Sequence, residues 1–229
     1  MRSVHVQPPE ELGTRDGLAF ALFLPDREPV GGVVVLHGAG SCKESHFDFA
    51  RACRAAGMAA VAFDQRGHGA SAGAFGAESA ADVAAMAELL PAGPVALRGS
   101  SMGGYLALVA AEAAGAAAVV AICPASAAQL ARGLRDRRYD FRADEPALAA
   151  FLAAHDATAA AAGLGECLLL LHAEGDEQVP VAHSRELHAA APGSRLVVVP
   201  GGHHRSVQHD GELQALSVGF LRRALLRAA

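Results

Sequence analysis

Residues 94–97 form an apolar run, residues 105–114 a helical pattern, and between them stands Gly99-Ser100-Ser101-Met102-Gly103. A strand ending there and a helix beginning there must be joined by a sharp turn. The small residues on either side let the backbone fold that tightly, and Ser101 sits at the bend. A serine so held lifts its Oγ above the edge of a sheet, and the N–H of the next residue points the same way. The motif therefore demands a buried strand before it, a helix after it and a sheet around it.

The rest of the chain supplies that sheet. Val33-Val34-Val35-Leu36-His37 is a continuous apolar run, as expected of a strand buried on both faces. Further strands are expected over residues 4–7, 18–24, 58–63, 117–123, 167–172 and 195–199, with residues 11–17 a turn-rich link between the first two. Helices are expected over residues 44–56, ended by Gly57, and near 78–90, 182–191 and 211–227. Strands alternating with helices make an α/β fold, a mostly parallel sheet of eight strands covered on both faces. Ligands of such sheets bind outside the C-terminal strand ends. The loops after His37, Phe63, Arg98, Cys123, His172 and Val199 are therefore the ones to inspect. Residues 126–165 break the rhythm, with two expected helices, near 127–138 and 145–154, and no strand. They are expected to form a small cap inserted into a single domain, residues 1–229.

No linker-like stretch divides the 229 residues, and 52% of them are hydrophobic, enough for a substantial core. A formal charge of −5 argues against a nucleic-acid-binding or polybasic membrane-surface protein. Nearly all the positive charge is arginine, Lys43 being the only lysine. The first nine residues hold no apolar signal-like stretch, and no apolar run reaches the ~18 residues that span a bilayer. Cys42, Cys53, Cys123 and Cys167 form no C-x-x-C pair, which fits free thiols in a reducing cytosol. A cytoplasmic protein without a membrane span is expected.

Serine alone is a poor nucleophile; it needs a base, usually His, and the base needs a carboxylate to hold its tautomer. Asp176, in the loop after residues 167–172, is the candidate carboxylate. The loop Pro200-Gly201-Gly202-His203-His204-Arg205 supplies the candidate base, His204 or else His203. An oxyanion hole needs two N–H donors. Met102, directly after the serine, offers one, and Ala39 in the Gly-rich loop His37-Gly38-Ala39-Gly40-Ser41 is favoured for the other. His37 and His68 read as structural hydrogen-bonders, and Asp64 and Arg66 as residues that pair or tie down their loop. The eleven histidines form no H-x-x-x-H or H-E-x-x-H pattern, so no metal is expected. Arg132, Arg135, Arg137, Arg138 and Arg142, interleaved with Asp136 and Asp140, read as a solvated helix face. In the alternative, one or two of them reach inward and pair a carboxylate or phosphate on a substrate.

Five patterns, in order, resemble the α/β-hydrolases: His37-Gly38-x-Gly40, Asp64-Gln65-Arg66-Gly67-His68-Gly69-x-Ser71, Gly99-x-Ser101-x-Gly103, Gly175-Asp176-x-x-Val179-Pro180 and Pro200-Gly201-x-x-His204. The second resembles serine esterases of the feruloyl-esterase and monoacylglycerol-lipase kind. In that family the last histidine commonly follows a P-G-x-x step, which selects His204. The resemblance implies an α/β-hydrolase fold and a serine hydrolase that cleaves a carboxylic ester through an acyl-enzyme. Ser101, Asp176 and His204 would form the triad, the Ala39 and Met102 N–H groups the oxyanion hole, and no cofactor would be needed. The short cap departs from the larger, more apolar lids of lipases and implies a small or compact acyl group. Thioesterase, amidase or aminopeptidase-like, and acyltransferase chemistry use the same triad and stay open, as does a catalytically silent ligand-binding protein. The expected partner is a small-molecule ester; the oligomeric state is left open.

Overall fold

The computed structural model describes residues 6–138 and 140–229. Its strands are β1 (Glu11–Arg15), β2 (Leu18–Phe23), β3 (Gly32–Leu36), β4 (Ala59–Phe63), β5 (Val95–Ser100), β6 (Ala116–Ile122), β7 (Leu168–Ala173) and β8 (Arg195–Val199). They form one sheet in the order β1-β2-β4-β3-β5-β6-β7-β8. β2 runs antiparallel to both β1 and β4, and from β4 to β8 every pairing is parallel.

Eight α-helices accompany the strands among the described residues: α1 (Phe47–Ala55), α2 (Ser79–Ala87), α3 (Met102–Val109), α4 (Ala127–Arg135), α5 (Glu145–Ala154), α6 (Ala157–Leu164), α7 (Val181–Ala190) and α8 (Gly211–Ala228). Two apolar layers result, as side chains of successive strand residues point to opposite faces. Val34, Leu36, Val61, Leu97 and Leu170 pack under α2, α3, α6 and α7. Val33, Val35, Ala60, Val120 and Leu171 pack under α1 and α8.

The start of the chain differs from expectation. Residues 4 and 5 lie outside the described residues, and Val6 and Gln7 form no strand. The first strand among the described residues is β1, within the segment read as a link. The turn is only Asp16-Gly17, both at positive φ (51° and 80°), between the paired residues Arg15 and Leu18. That is the geometry a two-residue hairpin favours, and Asp-Gly is its strongest signal. The signal was masked because β1 is an exposed edge with little apolar alternation.

Residues 126–165 hold three helices rather than two. Ser126 caps α4 in a reciprocal capping box with Gln129, Asp144 caps α5 and Asp156 caps α6. Five of the eight residues of α6 are alanine, so no apolar stripe announces it. It packs against α3 and α7 beside the sheet. Residues 142–144 are pinned to the loop after β4, with Arg142 N donating to Gly67 O (3.2 Å) and Phe75 N to Arg142 O (2.9 Å).

The turn from β5 into α3 fixes the site. Ser101 has φ 55° and ψ −117°, a conformation rare for any residue with a side chain. Its N–H donates to Ile122 O (2.8 Å), and its C=O accepts from Tyr105 N (3.0 Å) and Ala125 N (3.1 Å). A methyl group at Gly99 would collide with the Gly103 carbonyl, and one at Gly103 with the carbonyls of Leu36 and His37. Gly99→Ala should therefore lower stability by about 1–3 kcal/mol or more. A urea-unfolding midpoint unchanged from the parent protein would contradict this packing.

Candidate active site

Loops at the C-terminal ends of β3, β5, β7 and β8, together with α4, enclose a cavity of about 760 Å³. That is within the usual range for small-molecule sites. Ser101, His204 and Ala39 all line it. Ser100 lines it too, but its Oγ is buried and has no hydrogen-bond partner among the described residues.

The loop after β7 presents Asp176 to the loop after β8. His204 Nδ1 donates to Asp176 Oδ2 at 2.7 Å, which leaves Nε2 as the basic nitrogen of the ring. The other carboxylate oxygen accepts the N–H groups of Gln178 and Val179, both at 2.9 Å. Burial alone would push the Asp176 carboxyl up. Hydrogen bonds from His172, His204 and the Val179 N–H overcome that and hold it far below the usual carboxylate range. Asp176 is therefore a fixed anion. His203, by contrast, is exposed and bonds only within its own loop, its Nδ1 accepting from Arg205 N (3.3 Å). Among the described residues no hydrogen bond joins Ser101 Oγ to His204.

Gly38 lies against Ser101, so that a Cβ there would sit 3.3 Å from that of Ser101. Neither the Ala39 nor the Met102 N–H makes a backbone hydrogen bond among the described residues. For Met102 this follows from its place in the first turn of α3, where N–H groups have no intrahelical acceptor.

Buried polar contacts hold the surrounding loops. His37 Nδ1 donates to Gly38 O (2.8 Å) and its Nε2 accepts from Gln65 N (3.0 Å), which selects the neutral ring. Burial lowers the His37 pKa from 6.5 to about 4. Asp64 does not pair with Arg66. It accepts from Lys43 Nζ (2.8 Å), Lys43 N (2.7 Å) and Ala70 N (2.9 Å), while Arg66 forks onto Asp82. The one lysine of the chain thus ties the loop after β3 to the loop after β4. His68 stacks on Phe141, with ring centroids 4.2 Å apart.

Two further residues near the site escaped the sequence reading. Arg98 is fully buried on β5, and burial lowers its pKa to about 10. It stacks on Phe49 (4.3 Å to the ring centroid), donates to His46 Nδ1 (2.9 Å) and reaches Gln208 O (2.9 Å) in the loop that carries His204. The only sequence signal was an arginine inside an otherwise apolar strand. Cys123 follows β6, and its Sγ lies within 4.8 Å of both the Asp176 carboxylate and a His204 ring nitrogen. Burial pushes its thiol pKa up, and the neighbouring Asp176 adds to the effect, so the thiol stays protonated.

The same loops are where the chain matches known proteins. Residues 27–142, just over half of the chain, match the family described as serine aminopeptidase, S33. The chain belongs to this family. The matched span takes in the His37 loop, the Asp64 loop and the Ser101 turn, and stops before Asp176 and His204. No curated protein matches the chain by sequence. Among solved structures, a monoacylglycerol lipase from Paleococcus ferrophilus superposes with a TM-score of 0.70 at 22% identity, covering 93% of this chain and 99% of that one. Est1E from Butyrivibrio proteoclasticus, solved with ferulic acid bound, gives 0.70 at 20% identity, covering 93% and 96%. Alpha/beta hydrolase domain-containing protein 10 from mouse gives 0.66 at 20%, covering 96% and 99%. This S33-family member is a hydrolase enzyme of the α/β-hydrolase fold. Among its described residues no single helix is long and apolar enough to cross a membrane.

Buried and half-buried histidines set a pH dependence of stability. His37, His46, His68 and His183 all have pKa values lowered by burial. Between the unfolded value near 6.5 and the lowered folded value, the unfolded chain binds more protons, so stability rises with pH. The contribution is complete above pH 6.5 and is lost as pH falls toward 4; for His37 it is on the order of 3 kcal/mol. The urea midpoint should fall across that window. A midpoint flat from pH 6.5 to about 4 would contradict the assignment.

Proposed function

We propose that the protein is a serine esterase in which Ser101 is the nucleophile, His204 the general base and Asp176 the residue that orients His204. The observation that carries this reading is the 2.7 Å bond from His204 Nδ1 to a buried Asp176, with the same imidazole in the cavity that Ser101 lines. Catalytic hydrogen bonds are often open in unliganded enzymes and tighten around substrate, so a Ser101–His204 bond is assigned to the substrate complex.

In the proposed cycle Ser101 Oγ attacks the acyl carbon, and its proton passes to His204 Nε2. The carbonyl π electrons move onto oxygen, and the N–H groups of Ala39 and Met102 hold that oxyanion. As the oxyanion collapses, the C–O bond to the leaving alcohol breaks, and His204 protonates that oxygen. Water then gives a proton to His204 and attacks the acyl-Ser101 ester. Collapse releases the acid, and the proton returns from His204 to Ser101. Every proton and electron pair is accounted for by these groups and water, without a cofactor. Asp176 keeps its negative charge throughout and stabilises the imidazolium.

We assign residues 126–156 to a small cap, shorter than the expected 126–165 because α6 packs against α3 and α7, while Gln129, Arg132 and Gly133 of α4 line the cavity. Polar and apolar surface share the cavity wall about equally, and its apolar side chains are the small Ala39, Ala125, Val179 and Pro180. Four small apolar side chains suit a compact acyl group better than a long alkyl chain, which needs more apolar surface to bury. The test is kcat/KM over 4-nitrophenyl esters from acetate to dodecanoate, with a 4-nitroanilide alongside. Turnover should peak among the short esters. Ser101→Ala and His204→Ala should each lower kcat about ten-thousand-fold or more, and His203→Ala should have little effect. Parent-level turnover in Ser101→Ala would overturn the nucleophile, and a maximum at decanoate or longer would overturn the compact pocket.

A further inference from the structure

Three guanidinium groups stand at the cavity, on two separate segments. Arg132 is in the last turn of α4, Arg138 lies just beyond that helix, and Arg205 directly follows His204. Glu177 is the only carboxylate residue in the same lining. Water alone can solvate exposed arginines, so it is the place of these three in the cavity lining that sets them apart from Arg135 and Arg137. Asp136 takes only Arg138, at 3.2 Å, with both side chains exposed. Arg132 and Arg205 have no side-chain ion pair or hydrogen bond among the described residues. Arg142 points elsewhere, its Nη2 3.5 Å from Ser71 O. The neighbouring lining adds the neutral side-chain amides of Gln129 and Gln178 as donors.

Such a wall is suited to an anion. Guanidinium groups offer paired N–H donors that match a carboxylate, and they bind one more strongly than a neutral acceptor. With Glu177 on the same wall, a monoanion is favoured over a phosphate dianion.

We propose that the substrate is a compact ester that itself carries a second, free carboxylate, received by Arg132 and Arg205 at the cavity mouth. This rests on the serine-esterase reading and narrows its substrate class. The chemical step is the acyl transfer described above; the free carboxylate takes no part in bond making and acts only in binding.

The experiment compares mono-4-nitrophenyl adipate with 4-nitrophenyl hexanoate, acyl chains of equal length that differ in the terminal charge. The parent enzyme should favour the adipate in kcat/KM by about three- to tenfold at low ionic strength, a modest factor because the arginines are exposed. That preference should shrink as salt rises from about 10 mM to about 1 M. In the double variant Arg132→Gln, Arg205→Gln the adipate-to-hexanoate ratio should fall to about one or below. Equal or better use of hexanoate by the parent enzyme at low salt would overturn the proposal, as would a ratio unaltered by the double substitution. The salt series needs no variant, so a folding defect in the double variant leaves the proposal testable. Ser101→Ala separates the two levels of inference. If it cleaves both esters at the parent rate, the assignment of Ser101 as the nucleophile fails; if cleavage needs Ser101 but ignores charge, only the carboxylate proposal fails.

Discussion

At the start of α3 the backbone of Gly103 lies against the carbonyls of Leu36 and His37, with no room between them for a side chain. This close approach brings the end of β3 beside the turn after β5. Gly38 is thereby set against Ser101, and Ala39 and Ser101 line one cavity. The turn costs energy, on the order of 1–3 kcal/mol for a non-glycine residue in so sparse a backbone region. It persists because Ser101 is held from both sides, its N–H by β6 and its C=O by two N–H groups of the following segments.

Apolar packing builds the sheet, but the loops at its C-terminal edge are set by buried polar bonds. The Lys43–Asp64 pair joins two of them, and the His37–Gln65 contacts align the same two a second time. Arg98 reaches from β5 to the backbone of the His204 loop, and Asp176 binds its own loop as well as His204. Pairs of this kind add little net stability over apolar packing, yet breaking one is costly, because the remaining partner is stranded without water. Their effect is to allow one arrangement of the loops. That is the property the proposed chemistry needs, since a displacement of about 1 Å can cost a hundredfold in rate.

Features written in contiguous residues were legible in the sequence. The buried strands, the sharp turn at Ser101 and the loops bearing Asp176 and His204 each declare themselves within a few positions. β1 did not, because an exposed edge strand needs no apolar alternation; Asp16-Gly17 was the overlooked signal. α6 did not, because alanines carry no stripe. Side-chain partners distant in sequence were the least legible. Asp64 and Arg66 were expected to pair or to tie down their loop; they do not pair, Asp64 meeting Lys43 and Ala70 N and Arg66 meeting Asp82. Arg98 joins residues 52 and 110 positions away. The arginines of residues 132–142 could not be sorted by sequence either. Arg132 and Arg138 line the cavity while Arg142 is turned away, which depends on how α4 ends and on the pairing of residues 142–144 with the loop after β4.

The central claim is that Ser101 becomes acylated. Rapid mixing with a 4-nitrophenyl ester, acid quenching within the first turnover and mass measurement of the intact and digested protein test it directly. The account predicts a transient gain of one acyl group, confined to the peptide containing Ser101, that decays as water deacylates the enzyme and is missing in His204→Ala. Turnover with no acylated species at any quench time, under conditions where acylation outpaces deacylation, would contradict it. So would an acyl group on Ser100 or on a cysteine.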